Sequence, residues 1–544
     1  MEFNPVLLFR RRPAMIAAGL WRDVTIDEAM QRALKECPDK TAIVSWRQGR
    51  AEPERLSYRE LDERADCIAR GLALLGVGAG DVVSFQLPNR WEFVALWLAC
   101  GRLGACANPV MPIFRQHELE FMLNLAESKV FVVPKRYRGF DHESMALELQ
   151  RCLPHLRQVV VVDGEGGNSF DRILLRNDAP PLTGPRIGPD DVMLLLYTSG
   201  TTGEPKGVMH SYNTLYSNLD PYIEVTGLGR DDVILSASPM AHLTGFAYLC
   251  MMPVVLNATA ITLDVWEPKT ALRIARQEGV TFGMAAAVFA SDLCRAVEEG
   301  EAPAPSFKTF VSAGAPIPPV VVERTHRLLG IRLCSAWGMT ECGAVTLTEP
   351  ARALEKSAVS DGRPLRGIEI SVRDAEGRPL SPYQTGKLYI RGASLFGGYL
   401  KRPHLNATDE EGWFDTGDLA FVDEEGYLRI NGRSKDIIIR GGENLPVMEI
   451  ENILYAHPAI AACAVVGYPD ERLGERACAF VVLKPGATFD FAEMVRWFEE
   501  RKTARQYIPE RLEIVESMPA TPSGKIQKFK LRELAKERVR EAGG

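Results

Sequence analysis

Val192-Met193-Leu194-Leu195-Leu196 runs directly into Tyr197-Thr198-Ser199-Gly200-Thr201-Thr202-Gly203-Glu204-Pro205-Lys206-Gly207. The apolar run reads as a buried strand. The loop after it has glycines at 200, 203 and 207, which let backbone N–H groups approach an anion closely. Thr198, Ser199, Thr201 and Thr202 add hydroxyl donors, and Lys206 adds a positive charge. Such a loop suits a polyphosphate. It is not a Walker A loop, because Pro205 precedes Lys206 and Gly207 follows it, where that pattern needs Gly-Lys-Ser/Thr.

Working outward, the first 350 or so residues alternate between strand-like and helical stretches. Ser57-Tyr58-Arg59-Glu60 forms a capping box. It opens a helix with Leu61, Ala65, Ile68, Leu72 and Leu75 on one face, stopped by Gly76. Val82–Phe85, Lys129–Pro134, Val159–Val162, Val233–Ser236 and Thr281–Ala285 are β-rich. This alternation predicts an α/β fold with parallel-rich sheets covered by helices, and ligands gathered at the carboxyl ends of strands. After about residue 360, Ile368–Val372, Lys387–Arg391 and Tyr427–Ile430 lie between turn signals and predict hairpins of a β-rich subdomain. The last hundred residues mix helix (448–455, 491–501) and strand (462–466, 477–483). The expected division is a large N-terminal domain, 1–433, and a small α+β C-terminal domain, 434–544.

Composition narrows the function. A chain of 544 residues exceeds one ordinary core. The net charge of -7 leaves no basic field for nucleic acid. Arg10, Arg11 and Arg12 read as solvated surface. Eleven cysteines without a CxxC read as reduced thiols, with Cys334 and Cys342 packed rather than redox-active. The longest apolar run, Phe246–Leu256, is too short to span a bilayer, and the N-terminal stretch lacks a signal-like core. No membrane span and a cytoplasmic location are therefore expected.

The segment 197–207 resembles the signature loop of the adenylate-forming superfamily, which includes acyl-CoA synthetases, aryl-CoA ligases, luciferases and peptide-synthetase adenylation domains. Further motifs follow in that family's order from about residue 25 to 530. The resemblance implies ATP, Mg²⁺ and coenzyme A as cofactors. It assigns Thr198, Ser199, Gly200, Thr201, Thr202, Gly203 and Lys206 to the phosphates. Ser312-Ala313-Gly314-Ala315-Pro316 would lie against adenine and the acyl pocket. In Trp337-Gly338-Met339-Thr340-Glu341, Trp337 would stack on adenine, Thr340 would contact the α-phosphate and Glu341 would hold Mg²⁺. Trp337 replaces the usual tyrosine, so a phenol hydrogen bond is expected to be lost. Asp418, ending Trp413-Phe414-Asp415-Thr416-Gly417-Asp418, would take the ribose hydroxyls, with Arg433 a second nucleotide contact. Lys435 falls on the family's hinge position. Gly441 and Gly442, in Ile439-Arg440-Gly441-Gly442-Glu443-Asn444, would line the pantetheine path. Lys525, in Pro519-Ala520-Thr521-Pro522-Ser523-Gly524-Lys525, matches the catalytic lysine of a mobile C-terminal domain. Its acetylation by a protein acetyltransferase would neutralise the charge adenylation needs.

The implied substrate is a small carboxylic acid. Ser238-Pro239-Met240-Ala241-His242-Leu243-Thr244-Gly245 matches the segment lining the acyl pocket, with His242 near the carboxylate. Phe246, Ala285, Ala286, Ala287, Ala313 and Met339 would form its walls. No aspartate lies in 238–246 to pair an amino group, which favours an uncharged acid over an amino acid. The stretch Arg11–Thr25 resembles bacterial cyclohexanecarboxylate ligases, making that acid the specific expectation, with benzoate-like and medium-chain fatty acids open. Rival readings are a free-standing enzyme that loads a carrier protein, a luciferase-like monooxygenase, and a nucleotide sensor without turnover.

Overall fold

The computed structural model describes every residue except 177, 199–204, 315–316, 434–437, 441–442, 446, 471–472, 502, 504, 522–523 and 544. Two sheets dominate the described residues. The nine-stranded sheet runs in the order 363–364, 343–347, 332–339, 309–312, 282–285, 233–235, 259–263, 41–46, 54–57. Its six central strands are parallel, and antiparallel strands close both edges. The six-stranded sheet runs 206–210, 194–198, 106–109, 82–85, 130–134, 158–162 and is parallel except for its first pair. The expected α/β class and the β-rich runs hold.

Helix Trp91–Arg102 is buried at every position and touches strands of both sheets. An apolar surface all round is what a helix between two layers requires. The capping box at Ser57 is present, with both reciprocal hydrogen bonds made. An ionic group pins the two sheets where their strands end. Arg90 donates to Asp163, which follows strand Gln158–Val162, at 2.8 Å. It also donates to Asp264, which follows strand Thr259–Leu263, at 3.1 Å. Arg47 adds bonds to Asp163 and Glu92.

The predicted hairpins form a four-stranded antiparallel sheet of 368–373, 386–392, 414–422 and 428–433. A further five-stranded sheet is built from 438–440, 443–445, 460–470, 474–483 and 511–514, with helices Val447–Tyr455, Phe491–Glu500 and Lys528–Gly543.

One sequence reading is corrected. The basic run at 10–12 is not simply solvated surface. Arg11 donates to the carbonyls of Gly392 at 2.7 Å, Leu395 at 2.5 Å and Phe396 at 2.8 Å. Burial pushes its pKa down to about 9. Arg12 pairs with Asp23 and Asp190. Trp21 Nε1 donates to Ala393 O at 2.9 Å. The N-terminal segment is thus a brace for 392–396.

Candidate active site

The loop 199–204 joins two antiparallel strands, Leu194–Thr198 and Lys206–His210, with Lys206 opposite Thr198. A strand, not a helix, follows it. The described residues after the loop therefore offer no helix N-terminus to an anion. Ser199, Gly200, Thr201, Thr202 and Gly203 lie outside the described residues, as do Ala315, Pro316, Lys435, Gly441 and Gly442.

Two strand ends of the site carry buried hydroxyls, Thr198 Oγ1 and Ser312 Oγ, with no hydrogen-bond partner among the described residues. A buried polar group left unpaired costs about 1–3 kcal/mol, so orphaned hydroxyls at strand ends fit a polar ligand. Gly314 follows Ser312 at φ +89°, a conformation glycine adopts without strain.

Trp337–Met339 ends strand Arg332–Met339 and turns back into Gly343–Leu347. A side chain at Gly338 would lie 2.0 Å from Gly343 O, so only glycine fits the turn. The carbonyl of Thr340 accepts from His210 Nε2 at 2.7 Å. Glu341 is buried and accepts from Tyr399 Oη at 2.6 Å. Tyr399 Oη accepts in turn from Lys206 Nζ at 3.1 Å. Asn218 and Tyr248 hold the residues after Glu341: Asn218 Nδ2 donates to Ala344 O at 2.6 Å, and Ala344 N donates to Tyr248 Oη at 3.0 Å.

The expected loss of a hydrogen bond at Trp337 is made good by its indole. Trp337 Nε1 donates to Asp418 Oδ2 at 3.0 Å. Asp418 is buried in strand Phe414–Val422, in register opposite Arg433. The proposed adenine and ribose residues are thus directly bonded.

His242 caps a short helical turn, and its Nδ1 accepts from Thr244 N at 3.3 Å. Burial, reinforced by the Lys525 ammonium, pushes its pKa down to about 4. The neutral ring then carries its proton on Nε2. The chain continues into a π-helical turn, Phe246–Met251, a rare form that is frequent at functional sites. Phe246 is buried edge-on against Trp97 at 5.3 Å. Asn89 clamps the segment before His242: Asn89 Nδ2 donates to Ser238 O at 2.9 Å and Met240 N donates to Asn89 Oδ1 at 2.7 Å.

Lys525 is exposed on a tight turn in which Lys525 N donates to Thr521 Oγ1 at 3.0 Å and Thr521 N donates to Lys525 O at 2.7 Å. A side chain on its neighbour Gly524 would lie 2.9 Å from Val288 Cγ1 and 3.2 Å from Ala286 Cβ. Residues 524 and 525 thus approach the segment carrying Ala286 and the imidazole of His242. Met339 and Ala313 are partly buried against the main core. Tyr399, Asn89, Asn218, Tyr248 and His210 were not singled out by sequence. None sits in a spacing that signals chemistry.

The Glu341 carboxylate would offer a hard oxygen ligand of the kind Mg²⁺ takes. Among the described residues no three acidic, histidine or cysteine side chains converge as a cation cage. One carboxylate completed by substrate phosphates is a usual Mg²⁺ arrangement, and the orphaned Thr198 hydroxyl would suit a phosphate oxygen. Cys334 and Cys342 are free and buried, and burial pushes the Cys334 thiol up to about 12.

Comparison with known proteins gives the family. Residues 30–400 match the AMP-binding enzyme family, and 449–525 match its C-terminal domain. The chain therefore belongs to the AMP-binding enzyme family, the adenylate-forming superfamily. It is an AMP-forming acid:thiol ligase by class, with ATP, Mg²⁺ and coenzyme A as cofactors. It is 36% identical over 530 residues to a medium-chain fatty-acid–CoA ligase of Escherichia coli, covering 96% of this chain and 92% of that one. It is 34% identical to a salicylyl-CoA synthase/salicylate adenylyltransferase of a Streptomyces species, covering 95% of each. The ATP-bound structure of MatB from Rhodopseudomonas palustris superposes with a TM-score of 0.82 at 28% identity, over 93% of this chain and 98% of that one. Among the described residues no helix is long and apolar enough to cross a membrane.

Proposed function

We propose that this protein activates a small, uncharged cyclic, aromatic or medium-chain carboxylic acid as its acyl-adenylate and transfers the acyl group to coenzyme A. The observation that carries the reading is the Gly524–Lys525 turn beside Ala286 and His242. We read Lys525 as the catalytic cation on the acyl side, with Lys206, Glu341 and the Trp337–Asp418 pair serving the nucleotide.

In the first step a substrate carboxylate oxygen attacks the α-phosphorus of ATP and pyrophosphate leaves. Lys525 stabilises charge on the carboxylate and α-phosphate oxygens, and Thr340 hydrogen-bonds the α-phosphate. Thr198, Ser199, Gly200, Thr201, Thr202, Gly203 and Lys206 hold the polyphosphate. Asp418 accepts from the ribose hydroxyls, Arg433 adds a contact, and Trp337 stacks on adenine beside Gly314, Ala315 and Pro316. Glu341 holds Mg²⁺, which neutralises phosphate charge when bound. His242, neutral with its proton on Nε2, donates to the carboxylate. In the second step the domain 434–544 rotates about Lys435, Lys525 withdraws, and Gly441 and Gly442 line the path of the pantetheine thiol.

The acyl walls are Phe246, Ala286, Ala313 and Met339. The names of the fatty-acid and salicylate relatives support acids of this size. Cyclohexanecarboxylate is our leading acid. The segment 11–25 that suggests it packs on 392–396, so its bearing is by ancestry and not by contact. We place the enzyme in the cytoplasm, with Lys525 open to a protein acetyltransferase because the residue is exposed.

The test is AMP formation from ATP and Mg²⁺ across cyclic, aromatic and linear acids, with and without coenzyme A. Coenzyme-A-dependent turnover with one acid group supports the reading. Turnover only with a carrier-protein pantetheine would replace coenzyme A as acceptor. No acid-dependent AMP with either acceptor would defeat it.

A further inference from the structure

Residues 396–400 lie outside every motif described above, yet they tie two of those motifs together. Leu400 N donates to Gly207 O at 2.8 Å, Met209 N to Gly398 O at 3.1 Å, and Gly397 N to Met209 O at 2.8 Å. The segment is thus zipped along strand Lys206–His210. At its other end Phe396 N donates to the backbone carbonyl of Glu341 at 2.7 Å. Tyr399 N is fixed by Asn406 Oδ1 at 2.9 Å, and the ring is buried against Phe396 at 4.8 Å.

The side chain repeats the backbone's link. An ammonium has no acceptor, so at 3.1 Å Lys206 Nζ donates and the phenol oxygen accepts. The single phenol proton is then left for Glu341 Oε1 at 2.6 Å. The polarity of the chain Lys206–Tyr399–Glu341 is therefore fixed. Lys206 Nζ also lies over the Tyr399 ring, 4.2 Å from its centroid.

We propose that Tyr399 is a positioning residue that couples the phosphate hairpin to the metal carboxylate: carried on the segment zipped to strand Lys206–His210, it holds Glu341 by one oxygen and directs the other to the cation. The proposal rests on the roles given above to Lys206 and Glu341. Its consequence is specific. Loss of the hydroxyl leaves the ring packed but frees Glu341 to rotate, so binding of ATP weakens chiefly where Mg²⁺ contributes.

The experiment is calorimetric titration of ATP, without acid or coenzyme A, into wild type and Tyr399→Phe at a series of Mg²⁺ concentrations and in EDTA. We expect saturating-Mg²⁺ affinity to fall roughly tenfold, the scale of one charge-assisted hydrogen bond, and the half-saturating Mg²⁺ concentration to rise. Affinity in EDTA should change by less than about threefold on the same scale. Glu341→Gln should show the same Mg²⁺ defect, and the double variant should lose little more. A Tyr399→Phe protein with an unchanged Mg²⁺ profile, or a loss equal with and without Mg²⁺, would overturn the proposal while leaving the site's assignment intact. Wild type that binds no ATP under any condition would overturn the site assignment itself.

Discussion

The indole of Trp337 donates to the carboxylate of Asp418, Nε1 to Oδ2 at 3.0 Å. One residue is proposed to stack on adenine and the other to accept the ribose hydroxyls, so this bond sets the angle between the two halves of a nucleoside site. Trp337→Phe retains an aromatic face and removes the donor. The KM for ATP should rise roughly tenfold, as expected for about 1.5 kcal/mol from a hydrogen bond to a charged acceptor, with kcat changed less. Discrimination against 2′-deoxy-ATP should also weaken. Initial-rate kinetics with both nucleotides measures this, and an unchanged KM would show the bond to be incidental.

Asn89 links the scaffold to the acyl side. Its neighbour Arg90 is held by Asp163 and Asp264, while its own amide satisfies Ser238 O and Met240 N. Asn89→Ala leaves two buried backbone groups unpaired and should lower stability by about 2–4 kcal/mol. Because 238–242 carries the proposed acyl contact, the KM for the acid should rise more than that for ATP. Denaturant midpoints and the two KM values check this.

His210 makes stability depend on pH. Burial pushes its pKa down to about 4, and its ring bonds Thr214 Oγ1 at 3.0 Å and Thr340 O at 2.7 Å. The folded protein favours the neutral ring, so this contribution is complete above the ordinary histidine pKa and is lost as pH falls from about 6.5 towards 4. It amounts to something on the order of 3 kcal/mol. Denaturation midpoints between pH 7.5 and 4.5 should fall more steeply in wild type than in His210→Asn. Parallel curves would contradict the assignment.

The class was legible in the sequence because the relevant signals are local. The hydroxyl-rich loop, the Ser57 capping box and the Gly338 turn each arise from residues a few positions apart. Tyr399 was not legible. Gly397-Gly398-Tyr399-Leu400 has no charge or period of its own, and its partners lie 193 and 58 residues away. The same holds for Arg11, whose partners outside its own helix begin 381 residues on, which is why a run of three arginines reads as surface. The indole bond to Asp418 is not legible either, because donor and acceptor lie 81 residues apart on two different sheets.

Lys525 and His242 should sense each other in solution. The Lys525 ammonium lowers the His242 pKa in the arrangement described. Removing that charge makes the imidazolium less unfavourable, so Lys525→Ala should raise the His242 pKa. An NMR titration of the imidazole would show the upward shift. An unmoved titration would mean the turn does not occupy this position in solution.

The most direct test of the two-step account is Lys525→Ala, assayed separately in its two half-reactions. Adenylation is followed by acid-dependent pyrophosphate release, and thioester formation by supplying synthetic acyl-AMP with coenzyme A. The account predicts loss of adenylation by at least about a hundredfold, the scale of a preorganised charge removed from a transition state, with thioester formation changed only a few-fold. Equal loss in both half-reactions, or full adenylation by the variant, would contradict it.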